Sequence, residues 1–231
     1  MGKSNEKVFG VIGGQGSIAT AKIYTRIVEL ATAQGARTDD DFPQVIITNL
    51  ASDALDHKGV VSSQSLRQFL RKNLRGLNAL GVEQVFIACN TAHIGLVCGR
   101  QVTSLPQIVA NQVNILSDST KILLLCSHDT QNQKVYEGFF PDPIELHYAH
   151  NQDLLNDFIA SVMGNQIDLP TFIDFVKCEV DRAELKDLAV IVLGCTELTF
   201  FAEALALAFP KIKVLDSGII LAETIVAEGM R

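Results

Sequence analysis

One strand-ending motif occurs twice in this chain, and that repetition limits the folds open to it. VFIACNTAH (85–93) parallels VIVLGCTEL (190–198). The surrounding segments repeat as well. KVFGVIGGQGSIATAKIY, from Lys7, parallels KILLLCSHDTQNQKVY, from Lys121, and LPQIVANQV parallels FPKIKVLDSG. Parallel pairs at similar offsets point to an internal duplication, with two halves of similar wiring related by a pseudo-twofold axis.

Each half alternates short β-rich runs with longer helical patterns, the signature of parallel α/β sheets with right-handed crossovers. In the first half, strands are predicted at 7–13, 44–50, 84–89 and 106–110. Helices are predicted at 17–34, with Ser17 as its N-cap, at about 65–80, stopping near Gly81, and at 91–102. In the second half, strands are predicted at 121–126, 144–149, 189–195 and 211–216. The helices there fall at 130–140, 152–164, 170–186, 197–209 and 217–229. The fold class is therefore α/β: two similar parallel-sheet halves with a cleft between them. The expected division is residues 1–105 plus 216–231 for the N-terminal domain and 106–215 for the C-terminal domain. The link between halves falls in ANQVNILSDST.

Composition narrows the function classes. The 231 residues are 48% apolar and 19% charged, enough to bury a substantial core. A net charge of −7, with Lys and Arg scattered, argues against nucleic-acid or anionic-membrane partners. No apolar run reaches the ~18 residues of a membrane span, and the polar start lacks a signal core, so a cytoplasmic protein is expected. Five cysteines, an odd count with no CxxC pair, fit neither a disulfide framework nor a structural zinc site. His147 and His150 lack the partners of a metal site. Cys98, Cys126 and Cys178 are expected to pack as small apolar residues.

Cys89 and Cys195 are different. Ligands of open parallel sheets bind beyond the carboxyl ends of the strands, and both cysteines fall at that end of equivalent strands. Thr follows each within two residues, and then a helix start, whose N–H groups favour an anion and draw a thiol's pKa down from ~8.5. Two thiols approaching one cleft from opposite halves suit inversion of a stereocentre. One thiolate removes an α-proton and a thiol on the other face returns one, with no cofactor.

GVIGGQGSIAT, IACNTAH and LGCTEL together resemble the PLP-independent aspartate/glutamate racemases, most closely the aspartate racemase branch. The resemblance covers essentially the whole chain, in the family's order. It implies a two-domain α/β fold, often a homodimer, with an amino-acid substrate and with Cys89 and Cys195 as the acid/base pair. It implies that Asn90, Thr91 and Ala92 surround the α-carboxylate and amino group, with Thr196 doing likewise from the other half. It also implies that the GGQG loop (13–16) lines the cleft floor, with Gln15 close to substrate. Thr130 is a helix cap or a ligand contact. Glu197 is a further candidate, in a first turn where a carboxylate suits the helix dipole. His93 reads mainly as a helix histidine.

The departures concern specificity. Members specific for aspartate usually carry GGMGP; here Gln15 and Ser17 replace Met and Pro. Their Arg after the second strand is missing from ASDALDHKG, where His57 and Lys58 are the candidates to replace it. Their Lys, on a helix of the second half before a Gly, has no counterpart in DFIASVMGNQ. Lys or His does not replace a bidentate Arg equivalently. Specificity for aspartate, glutamate, a neutral amino acid or a broader range therefore stays open.

Two rivals come from other classes. Gly14–Ala19 fits the GxGxxA dinucleotide pattern, but the second strand ends near Asn49 rather than an acid. A two-lobed binding module would leave the paired thiols unexplained.

Overall fold

A computed structural model describes residues 7–95, 101–116, 121–140 and 144–230. It contains two four-stranded, all-parallel sheets of the same wiring. The first runs β2(Gln44–Thr48)–β1(Val8–Ile12)–β3(Gln84–Ile87)–β4(Val102–Thr103). The second runs β6(Glu145–Tyr148)–β5(Lys121–Leu125)–β7(Leu188–Leu193)–β8(Lys213–Asp216). The interior strands are continuous apolar runs because both of their faces are covered.

Alternation along the strands divides the core into layers. Phe9 and Val11 of β1 and Phe86 of β3 share one buried cluster with Ile122 and Leu124 of β5 and Val190 and Val192 of β7. Their neighbours in sequence point the other way. Ile12, Val85 and Ile87 pack with Leu66, Leu70 and Leu77 of α2(Ser63–Ala79). Leu123, Leu125, Ile191 and Leu193 pack with Phe158 of α5(Gln152–Met163) and Phe172 of α6(Leu169–Val180). The middle layer is thus common to both halves. A register slip of one residue in β1 or β5 would turn its apolar set out of that layer.

Helices α1(Ser17–Ala33), α3(Leu105–Leu116) and α8(Ser217–Gly229) seal the middle layer, α3 through Leu105, Val109 and Val113. α1 buries Ala19, Ile23, Ile27 and Ala31, a stripe at i, i+4 spacing. α8, buried at Ile220, Leu221, Ala222, Ile225 and Val226, packs against α1 and against α3. Asp216 caps α8: its Oδ1 accepts from the N–H of Gly218 (2.7 Å) and Ile219 (3.0 Å).

Several expectations need correction. Residues 106–110, expected as a strand, lie inside α3. Leu105, Val109 and Val113 are buried at helical spacing, and Pro106 sits in the first turn, where it forfeits no hydrogen bond. The fourth strand is instead the short β4, paired with β3. Ser17 is not the N-cap of α1; Gly16 is, at φ 90°, and the Ser17 hydroxyl donates to Asn49 Oδ1 (3.1 Å). The helix expected at 130–140 is α4(His128–Asn132) followed by a 3-10 turn, Glu137–Phe139, and the break contains Lys134 at φ 56°. The helix expected at 170–186 ends at Val180, and the one at 197–209 opens as a 3-10 helix, Thr196–Phe201, before α7(Ala202–Ala208). The segment predicted as helix at 91–102 begins as a 3-10 helix, Thr91–Gly95. Residues 96–100, and with them Cys98, lie outside the described residues. Cys178 is exposed rather than packed, while Cys126 is buried.

Candidate active site

β3 and β7 end at Ile87 and Leu193. Each continues for two residues to a cysteine, and each cysteine precedes a 3-10 helix. The repeat thus places Cys89 and Cys195 equivalently, one per half. Both line one cavity of about 120 Å³, together with Gly14, Gln15, Gly16, Thr91, Ser127 and Glu197.

The two thiols sit in different surroundings. Cys195 is buried and donates to Glu197 Oε2 at 2.9 Å. Burial, the Glu197 charge, that hydrogen bond and the proximity of Cys89 push its pKa well above the usual thiol value. Cys89 keeps partial exposure. Burial and then the Glu197 charge push it up to about 12, against the backbone N–H groups of Ala92 and Thr91 and the Thr91 hydroxyl, which favour the thiolate. The helix starts therefore do not prevail as expected: the donors are present, but desolvation and a neighbouring carboxylate outweigh them. Burial raises the Glu197 pKa as well, partly offset by the hydrogen bond from Cys195.

Glu197 fits here only because residue 16 is glycine. A Cβ on Gly16 would lie 1.9 Å from Glu197 Oε1, and φ is 90°. The glycine loop of one half and the 3-10 turn of the other are thus in close contact around the carboxylate.

Behind the cavity a buried polar network crosses between the halves. Asn90 Oδ1 accepts from the Tyr136 hydroxyl (2.6 Å), and Asn90 Nδ2 donates to Ser217 Oγ (3.0 Å). The Thr91, Ser127 and Thr130 hydroxyls form a closed ring with edges of 2.8, 2.9 and 3.0 Å. Thr196 donates to the Ala88 carbonyl at 3.1 Å. His93 Nδ1 lies 3.0 Å from the Cys89 carbonyl, and Nε2 accepts from the Leu105 N–H at 3.2 Å. Those partners fix the tautomer protonated on Nδ1, and burial draws its pKa down to about 4. His93 therefore holds the strand end in place and does not touch the thiol.

Of the residues singled out from the sequence, Gln15, His57, Cys89, Thr91, Cys195 and Glu197 line the cavity. Asn90, Ala92, Thr130 and Thr196 do not: Asn90, Thr130 and Thr196 are committed to the network, and Ala92 contributes its backbone N–H to Cys89. Lys58 is exposed and outside the lining. The residues not foreseen are Ser52, Leu55, Asp56, Ser127, Ile159 and Met163. Ser127 follows the apolar strand β5, so the strand-end rule could have found it. Ile159 and Met163, at i, i+4 spacing, lie in DFIASVMGNQ, which the sequence marks only by its lack of a Lys.

Leu55, Asp56 and His57 sit in a small turn that the second half holds. Leu55 and Val60 form an antiparallel bridge, and Asp56 Oδ1 accepts from the N–H groups of Lys58 and Gly59. Asp129 of α4 accepts from the Val60 N–H (2.7 Å) and donates its own N–H to the Lys58 carbonyl (3.2 Å). Gly59, at φ 148°, lies so close that a Cβ would fall 2.3 Å from Asp129 Cβ.

Among the described residues, no helix is long and apolar enough to cross a membrane, and no group of three or more His, Cys, Asp or Glu could hold a metal.

The two parallel-sheet halves form the α/β fold of solved racemases. The structure resembles an aspartate racemase of Picrophilus torridus with a TM-score of 0.79, 23% identity and coverage of 97% of this chain and 95% of that one. It resembles a glutamate racemase of Thermus thermophilus, solved with beta-chloro-D-alanine, with a TM-score of 0.68, 17% identity and coverage of 99% and 84%. In sequence the chain is 20% identical to the broad specificity amino-acid racemase RacX of Bacillus subtilis (strain 168), over 95% of this chain and 97% of that protein. The family described as Asp/Glu/Hydantoin racemase matches residues 12–225. The chain belongs to that family.

Proposed function

We propose that the protein is a cofactor-independent amino-acid racemase in which Cys89 and Cys195 exchange the α-proton. The observation that carries this reading is the presence of both thiols, one from each half, in the lining of the same cavity, with one carboxylate acting on both.

In this reading, a thiolate on one side removes the α-proton and becomes a thiol. The opposite thiol donates its proton to the other face of the planar carbanion and becomes the thiolate. The enzyme is left with its protons exchanged between the sulfurs, ready for the reverse reaction. With both thiols held protonated, a thiolate must first form. Glu197 is the nearest acceptor: a proton shift along the 2.9 Å hydrogen bond leaves Cys195 ionised and Glu197 neutral. The ammonium group of an arriving substrate then brings a positive charge that favours the thiolate. Residues 1–105 with 216–231 would form one domain and 106–215 the other, so that opening between them admits substrate.

Cys89→Ser and Cys195→Ser test the assignment. Chiral chromatography should show racemisation reduced in each by on the order of 10³-fold or more. Substantial activity in either variant would contradict it.

A further inference from the structure

We propose that the substrate is an α-amino acid with an uncharged side chain, and that Gln15 supplies the neutral donor for its α-carboxylate. This rests on the racemase reading above and concerns what the same cavity selects.

Three observations support it. The first is charge. Among the described residues the lining contains no Lys or Arg, while it includes the carboxylates of Asp56 and Glu197. His57 is the one side chain there that could carry a positive charge. A zwitterionic substrate enters such a site with balanced charge. Aspartate or glutamate brings an additional carboxylate with no fixed cation to meet it, next to two acidic side chains.

The second is the wall. Leu55 from the first half and Ile159 and Met163 from α5 line the same space. Apolar groups give a neutral side chain contact area and give a carboxylate nothing in exchange for its lost water. Met163 is 46% exposed, so the wall opens outward and longer side chains can extend beyond the 120 Å³ interior.

The third is Gln15. Its side chain is only 8% exposed, and Nε2 has no hydrogen-bond partner among the described residues. A buried donor left unpaired is costly, and it lines the cavity between Gly14 and Gly16. A carboxylate oxygen bound there would satisfy it. As an amide, Gln15 adds no charge, so it can hold the α-carboxylate common to all amino acids without rewarding a second one.

The test has a binding arm and a turnover arm. Calorimetry on the intact Cys89→Ser protein with alanine, serine, methionine, aspartate and glutamate reads selectivity whether or not the enzyme turns over. The expected result is at least roughly tenfold tighter binding of the best neutral amino acid than of either acidic one. Equal or tighter binding of aspartate or glutamate would overturn the proposal. Absence of wild-type turnover on any amino acid, with neutral selectivity intact, would instead count against the racemase reading alone. Met163→Lys, at a half-exposed position, should move relative affinity toward aspartate by roughly tenfold; no shift would oppose the charge argument. Gln15→Met should weaken binding of all amino acids alike, and a loss confined to one side-chain class would overturn the role given to Gln15.

Discussion

The ends of β3 and β7 share a backbone plan but surround their cysteines differently. Cys89 is partly exposed and faces N–H donors from its own 3-10 helix. Cys195 is buried and hydrogen-bonded to a carboxylate two residues on. The shared wiring of the two halves thus gives equivalent positions, and the neighbouring side chains make the two thiols unequal. The residue at Cys+2 captures the difference: Thr91 contributes a hydroxyl to an uncharged network, whereas Glu197 brings an ionisable group.

Removing Glu197 is the sharpest way to break that inequality. In Glu197→Gln both thiols lose a raising charge, and the Cys195 thiol faces a neutral amide oxygen that holds its proton less tightly than a carboxylate. Alkylation followed by peptide mass spectrometry at pH 8–9 should be faster at both cysteines and more so at Cys195. Racemisation should nevertheless fall by on the order of 10²-fold, because the acceptor of the Cys195 proton is gone. Faster turnover would show that Glu197 only suppresses ionisation. Gly16→Ala attacks the same carboxylate from the other half. Its Cβ would collide with Glu197 Oε1 at a positive φ, so a loss of roughly 10-fold to 10²-fold in kcat is expected, with a modest fall in melting temperature.

Asp129→Ala should act on the first half's turn and spare the thiols. The Val60 amide loses its acceptor, so deuterium exchange over 58–60 should accelerate. KM should rise roughly threefold to tenfold with little change in kcat. Unchanged exchange would mean that the turn stands without the second half.

Asp216 bears on stability rather than on turnover. Burial raises its pKa from 3.8 to about 6. Between those values the folded protein keeps a proton that the unfolded chain has lost, so the contribution is full below about pH 4 and lost as pH rises to 6. Asp216→Asn retains an oxygen to cap α8. It should shrink the decline in unfolding free energy between pH 4 and 6.5 by on the order of 2–3 kcal/mol. An unaltered pH profile would refute the shift.

The repeated strand ends were legible because apolar runs ending at Cys89 and Cys195 carry their pattern locally. The segment 106–110 was misread because a short, β-branched apolar run suits strand and helix alike, and burial at Leu105, Val109 and Val113 decided for helix. The wiring of Asn90 and Thr196 was out of reach for a different reason. Their partners Tyr136, Ser217 and Ala88 are far away in sequence, and only packing shows that their polar atoms are already taken. The thiol pKa values depended on desolvation, which no motif encodes.

The central claim, that separate sulfurs serve opposite faces of one carbon, is tested most directly by running the reaction from a single enantiomer in D₂O. Early in the reaction, mass spectrometry should find deuterium in the product enantiomer while recovered substrate keeps its α-hydrogen. Deuterium accumulating equally in both enantiomers from the outset would mean that one base serves both faces, and would contradict the account.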